Sequence, residues 1–188
     1  MESITTQQLL LAGLGVVCAG MVLVVALWLR RRLRGRPASV FRRISQQQLN
    51  DVLIDDGLEG EIHLEHVMLT VHGVLVVDLR NASGAVFGGP RLEQWKVMDG
   101  QRRFAFKNPL EALAARVHAV ERLVGAVPVA GRVVFAGPVE FPGGRLPQVS
   151  TLADLEHEFG EHGDGKAIDA FQHGWTLLSQ AASPHRHS

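Results

Sequence analysis

The longest regularity in the chain is apolar. From Leu9 to Leu29, 21 consecutive residues carry no charged or strongly polar side chain. At about 1.5 Å of rise per residue, a helix of that length crosses a hydrocarbon core of roughly 30 Å. The pattern predicts one transmembrane helix over 9–29, with Trp28 as an interfacial aromatic. Beyond it the period shortens. Ile62 to Val71 alternates in part and Val74 to Leu79 is a β-branched run, so a hairpin turning at His72-Gly73 is expected. Ala85 to Phe87 reads as a further strand after the Asn81 to Gly84 turn. Trp95 to Met98 and Arg103 to Phe106 flank Asp99-Gly100, a strong hairpin signal.

A helical period follows. Asn108-Pro109 offers a capping side chain and a first-turn proline, and Leu110, Leu113, Ala114, Val117, Val120 and Val124 then fall on one face. Arg132 to Ala136 returns as a strand, and strand, helix, strand in that order predicts a right-handed crossover onto the same sheet. Thr151 with Asp154 resembles a capping box opening a helix that Gly160 closes, and Lys166 to Gln180 is a last amphipathic helix weakened by Gly174. The expected layout is a short extracytoplasmic N-terminus (1–8), the span (9–29), a basic juxtamembrane linker (30–43), one domain (44–180) and a disordered tail (181–188). The fold class expected for the domain is α/β with a mixed sheet.

Charge changes the picture twice. Arg30, Arg31, Arg32, Arg34 and Arg36 follow the span, whereas the residues before it carry only Glu2. The positive-inside bias therefore puts the anchor in a plasma or inner membrane with the C-terminal domain in the cytoplasm. A cleaved signal peptide wants a basic start and a small-residue cleavage site, and neither is present. The formal balance of zero also conceals an asymmetry. Residues 44–188 hold 12 Lys and Arg against 18 Asp and Glu, a balance of −6, because seven of the 19 cations lie between Arg30 and Arg43. An acidic domain does not resemble an electrostatic funnel for nucleic acid, and the stalk from Arg30 to Arg36 is better placed to meet anionic lipid.

Several constellations are weak. Gly13, Gly15 and Gly20 echo a dinucleotide-binding fingerprint, but no strand precedes them and the segment is wholly apolar. Gly15 and Ala19 form a small-xxx-small pair that would let two spans pack. The one cysteine, Cys18, lies inside the span, so the domain has neither a thiol nucleophile nor a cysteine zinc site. That lack also excludes a zinc deaminase, whose first half His63-Leu64-Glu65 imitates. His157 and His162 are about 500° apart around a helix instead of the roughly 400° that aligns two zinc ligands. His66 and His118 read as half-buried polar residues, with His66 placed to tune whatever Glu65 does.

The hairpin carries the chemistry. A two-residue loop at His72-Gly73 sets Glu65 opposite Arg80 and Val67 opposite Asp78, so Glu65, Asp78 and Arg80 share one face. Two carboxylates and a guanidinium beside an apolar strand are costly to bury unless they pair with each other or hold a metal.

The ordered pieces Leu64-Glu65-His66, Gly73-Val74 to Asp78-Leu79-Arg80-Asn81, Gly84-Ala85-Val86-Phe87-Gly88, Trp95 and Asn108-Pro109 resemble the nuclease-related (NERD) domain, over about Leu64 to Gly137. That family is a branch of the PD-(D/E)xK, restriction-endonuclease-like fold. The resemblance implies that Glu65 and Asp78 hold a divalent cation, usually Mg²⁺, and that Arg80 stands where the family has its lysine. The implied reaction is metal-assisted hydrolysis of a phosphodiester. Three positions depart from the pattern. Arg80 keeps a positive charge for a phosphate but cannot share a proton with an attacking water as a lysine can. The glutamate on a preceding helix has only Gln46, Gln47 and Gln48 in its place, and the glutamine of the later helix is replaced by Ala112 beside Glu111. The expected function is a membrane-anchored NERD-like module with a degenerate metal and phosphate site that binds nucleic acid or a protein partner. The alternative is an active Mg²⁺-dependent nuclease with Glu65, Asp78 and Arg80 as its catalytic residues.

Overall fold

A strand that is apolar on both faces needs cover on both, and that requirement organises the molecule. The computed structural model describes residues 36–160 and 165–185. In chain order the elements are helix α1 (Pro37–Ile44), strands β1 (Gln47–Asp55), β2 (Glu61–Thr70), β3 (Gly73–Arg80), β4 (Gly84–Phe87), β5 (Gln94–Asp99) and β6 (Arg102–Lys107), helix α2 (Pro109–Val124), strands β7 (Val129–Phe135), β8 (Val139–Glu140) and β9 (Val149–Thr151), helices α3 (Leu152–Phe159) and α4 (Gly165–Ala181), and strand β10 (Ser183–Pro184). The expected span Leu9–Leu29 and the last three residues lie outside the described residues. Among the described residues no helix is long and apolar enough to cross a membrane.

β3 sits inside a six-stranded mixed sheet, ordered β10-β1-β2-β3-β7-β9, antiparallel to β2 and parallel to β7. Every residue from Gly73 to Asp78 is buried. On one face Val74 and Val76 join a core with Leu113, Val120 and Val124 of α2 and Trp175 and Leu178 of α4. On the other, Leu75 and Val77 meet Val40, Phe41 and Ile44 of α1 and Leu152, Leu155 and Phe159 of α3. A second sheet, β6-β5-β4-β8, turns Val86, Trp95 and Val97 into the first core. This α/β arrangement with mixed sheets fits a restriction-endonuclease-like domain.

The crossover lands elsewhere than expected. From β6 the chain passes through α2 to β7, which pairs with β3 and β9 in the larger sheet and not with the sheet it left. Val133, Val134 and Phe135 are fully buried, and the place between β3 and β9 covers both of their faces. Two segments read as unstructured are also ordered. Residues 37–44, mostly assigned to the linker, form α1, whose apolar residues Val40, Phe41 and Ile44 cover the sheet. Ser183 and Pro184, assigned to the disordered tail, pair with Leu53 and Val52 of β1. On α2, Ala119 is buried and Ala114 exposed, a small rotation of the expected stripe.

The β2–β3 hairpin differs by two in register. Thr70 pairs with Gly73 and Val67 with Val76, so the loop is Val71-His72. The Thr70 hydroxyl sets this turn, accepting from the His72 N–H at 3.1 Å and donating to the Gly73 carbonyl at 2.9 Å. Gly73 has φ +116°, and a Cβ there would lie 2.2 Å from the Pro128 carbonyl oxygen, so this position needs glycine because β7 begins against it. A slip of two keeps each side chain on its face.

Candidate functional site

At the C-terminal end of β3 the apolar run gives way to Asp78-Leu79-Arg80, and α2 decides what covers it. Asn108 fixes where that helix starts: its side-chain oxygen accepts from Leu110 N–H at 3.1 Å and its amide donates to the Leu92 carbonyl at 2.8 Å. Gly131 on β7 fixes how closely the helix approaches, since a Cβ there would lie 2.7 Å from Val117 Cγ2. The consequence is that Arg116 reaches over the sheet to Asp78.

Asp78 is 3% exposed and holds two guanidinium groups. Its Oδ2 accepts from Arg80 Nη2 at 2.9 Å and from Arg116 Nη1 at 2.8 Å. Arg80 Nε stands 2.6 Å from Oδ1 but its N–H is not aimed at that oxygen, so this contact is ionic and not a hydrogen bond. Arg116 also donates from Nε to the His63 carbonyl at 2.9 Å, tying β2 to β3. The Arg80 guanidinium lies 5.4 Å from the Phe106 ring centroid, within cation–π range.

Glu65 does not join this cluster. Its Oε2 accepts from the Leu79 backbone N–H at 3.2 Å, where the β2–β3 ladder has ended, and its Oε1 lies 3.8 Å from His66 Nε2. No hydrogen bond or ion pair among the described residues links it to Asp78 or Arg80. Strict alternation also fails here. Leu64 and Val67 both belong to the first core although they lie three positions apart, and on the facing strand Leu49 packs against the same core as Val52, again three positions away. The fault lies at Asp51, whose left-handed backbone (φ 56°) leaves Asp51 and Glu65 as the missing rung between Asn50↔His66 and Val52↔Leu64.

His66 Nδ1 donates to the Asn50 side-chain oxygen at 2.8 Å and its ring lies 5.0 Å from that of Phe41. Burial holds its imidazole below the usual histidine pKa, with the Glu65 and Asp51 carboxylates opposing the shift in part. Gln47 and Gln48 lie on β1, and the helix before the first strand, α1, carries no acidic residue. His118 is exposed and pairs with Glu121 at 3.1 Å.

Two features went unread in the sequence. Arg116 sits three residues after Leu113 and four before Val120, a cation in the apolar stripe of a helix, which is a legible signal. Asp51, His63 and His185 form the one group of three or more His, Asp or Glu donors that gather within 4.8 Å among the described residues. Nothing in the sequence announced it, because β1 and β10 were not anticipated.

The sequence model of the nuclease-related domain matches residues 26–136, more than half of the chain. The chain belongs to the nuclease-related domain family. The match begins upstream of the motifs, so α1 and β1 are part of the nuclease-related domain, and it ends one residue after β7. No curated protein and no solved structure gives a significant match.

Proposed function

We propose that this chain is a membrane-anchored nuclease-related module that contacts nucleic-acid phosphates without cutting them. The observation that carries the reading is the buried Asp78 carboxylate with Arg80 and Arg116 both upon it. As they stand these donors do not fit Mg²⁺. Both Asp78 oxygens face guanidinium nitrogens, and one Glu65 oxygen holds a backbone N–H, so an ion that needs several oxygen ligands would have to displace an arginine. With one carboxylate and two guanidinium groups the cluster keeps one net positive charge. Arg80, 35% exposed, has donors left for an anion. The apolar run 9–29 and the arginines after it supply the anchor and a cytoplasmic orientation, with anionic lipid at the stalk.

The test uses the full chain in lipid nanodiscs and a labelled single-stranded oligonucleotide. Expected is anisotropy-detected binding that weakens with salt, about 0.7 log units per tenfold salt for each phosphate engaged, that falls in Arg80→Gln and leaves the strand intact in Mg²⁺ or Mn²⁺. Metal-dependent cleavage abolished by Glu65→Gln and Asp78→Asn makes it a nuclease instead. Exposed Phe87, Met98 and Phe104 on the second sheet favour a protein partner as the second reading, which gains if no oligonucleotide binds.

A further inference from the structure

β10 is two residues long, and what it delivers is His185. Pairing of Pro184 with Val52 and of Ser183 with Leu53 lays the end of the chain along β1. The His185 N–H then donates to the Asp51 carbonyl at 3.0 Å, which fixes the imidazole beside the Asp51 side chain. β2 brings His63 to the same place from the other side of β1. His63 Nε2 lies 2.6 Å from Asp51 Oδ1, His185 Nδ1 lies 3.6 Å from the same oxygen, and the two rings are 4.6 Å apart between centroids.

We propose that Asp51, His63 and His185 form a binding site for a borderline divalent transition-metal ion, Zn²⁺ in the first place, which clasps the C-terminal strand to β1. Two imidazoles and one carboxylate make a donor set that such ions accept and that Mg²⁺ does not favour. The size agrees. Bonds of about 2.0–2.1 Å to a tetrahedral ion put its ligand atoms roughly 3.3 Å apart, and the distances of 2.6 and 3.6 Å bracket that value. All three side chains are about one-third to two-fifths exposed, so an ion has a path in.

The backbone points the same way. Asp51 adopts φ 56° in the middle of a strand, a conformation that costs a non-glycine residue about 1–2 kcal/mol. The same deviation breaks the β1–β2 ladder. Strained positions of this kind persist where the surrounding structure has a use for them.

The test is Zn²⁺ titration of the untagged full chain, stripped with chelator and held in detergent micelles, followed by calorimetry. Co²⁺ substitution serves as an optical reporter. Expected are one equivalent of Zn²⁺ and visible d–d absorption with Co²⁺. His63→Gln and His185→Gln should each weaken binding more than about 100-fold, beyond the roughly 10- to 100-fold that follows loss of a group bonded to a ligand. His185 follows the last strand, so His185→Gln keeps the fold, and near-ultraviolet dichroism checks that it does. Absence of Zn²⁺ binding by the folded wild type leaves an ordinary His–Asp ion pair and overturns the proposal, as does binding that survives both substitutions.

Discussion

Replacing Asp78 by asparagine separates an ion cluster from an empty metal site by the sign of its effect on stability. Where two carboxylates wait for a cation they repel, and neutralising one stabilises the metal-free protein. Here the carboxylate is 3% exposed and holds Arg80 and Arg116, at 35% and 22% exposure, so neutralising it strands two guanidinium groups. Removing one partner of a fully buried pair costs about 3–5 kcal/mol. Water still reaches both arginines, and the amide keeps one acceptor oxygen, so the lower end applies and about 3 kcal/mol is expected. At roughly 2–4 °C per kcal/mol for a chain of this size, the midpoint falls by about 6–12 °C. The assay is unfolding in chelator, followed by tryptophan fluorescence, because Trp95 and Trp175 are both buried in the first core. Arg116→Met should cost less, about 1–2 kcal/mol, since Asp78 retains Arg80. An unchanged or raised midpoint in Asp78→Asn refutes the ion-cluster account and returns Asp78 to the role of a metal ligand.

Three further outcomes are expected. Because burial lowers the His66 pKa below the unfolded value of about 6.5, its contribution is complete above that pH and is lost as pH falls towards the folded value. Stability should therefore decline by up to about 1.4 kcal/mol per pH unit below 6.5, and urea unfolding of His66→Gln should lack that component. Thr151→Ala should cost about 1 kcal/mol in the same assay, since the Thr151 side chain caps α3 in a reciprocal box with Asp154. Burial alone would raise the Asp154 pKa, but hydrogen bonds from Thr151 and the Arg145 guanidinium hold it below the usual carboxylate range, so its share of stability is present at neutral pH and lost as pH falls through that lowered value. Gly174→Ala should destabilise by about 1–3 kcal/mol despite the better helix propensity of alanine, because the new Cβ would lie 2.6 Å from Val127 Cγ2 and 2.7 Å from the Val124 carbonyl. A stabilised variant would show that α4 does not pack this tightly on the end of α2.

The elements legible in the sequence were those specified by local chemistry. The Thr151–Asp154 capping box and the Asn108-Pro109 helix start hold because each is closed by groups within a few residues of one another. β1 escaped notice because its apolar positions change face at Asp51, so that Leu49, Val52 and Ile54 share a core without sharing a period. α1 escaped because its two arginines continued the basic stretch, although Val40, Phe41 and Ile44 already lay at helical spacing. The hairpin register failed for a different reason. His72-Gly73 is a good local turn, but the Pro128 carbonyl, more than fifty residues away in sequence, claims Gly73 for the strand.

Asp78 and Arg80 were legible as a pair because alternation along an unbroken strand brings residues two apart to one face. Glu65 was assigned to that face by the same rule, and the rule fails at Glu65 because the facing residue, Asp51, is left-handed. The same departure therefore does two things. It turns Glu65 aside to hold the Leu79 N–H, leaving Asp78 to the arginines, and it places Asp51 where His63 and His185 converge. If Asp51 holds this conformation for the sake of the three-donor cluster, the loss of a carboxylate pair at Asp78 and the gain of donors at Asp51 are one event in the β1–β2 ladder. Asp51→Gly tests that link, since glycine keeps the left-handed backbone without the carboxylate. It should leave the Asp78 cluster and its stability intact while weakening Zn²⁺ binding, and a variant that lost both would show that the carboxylate, and not the backbone, holds the ladder open.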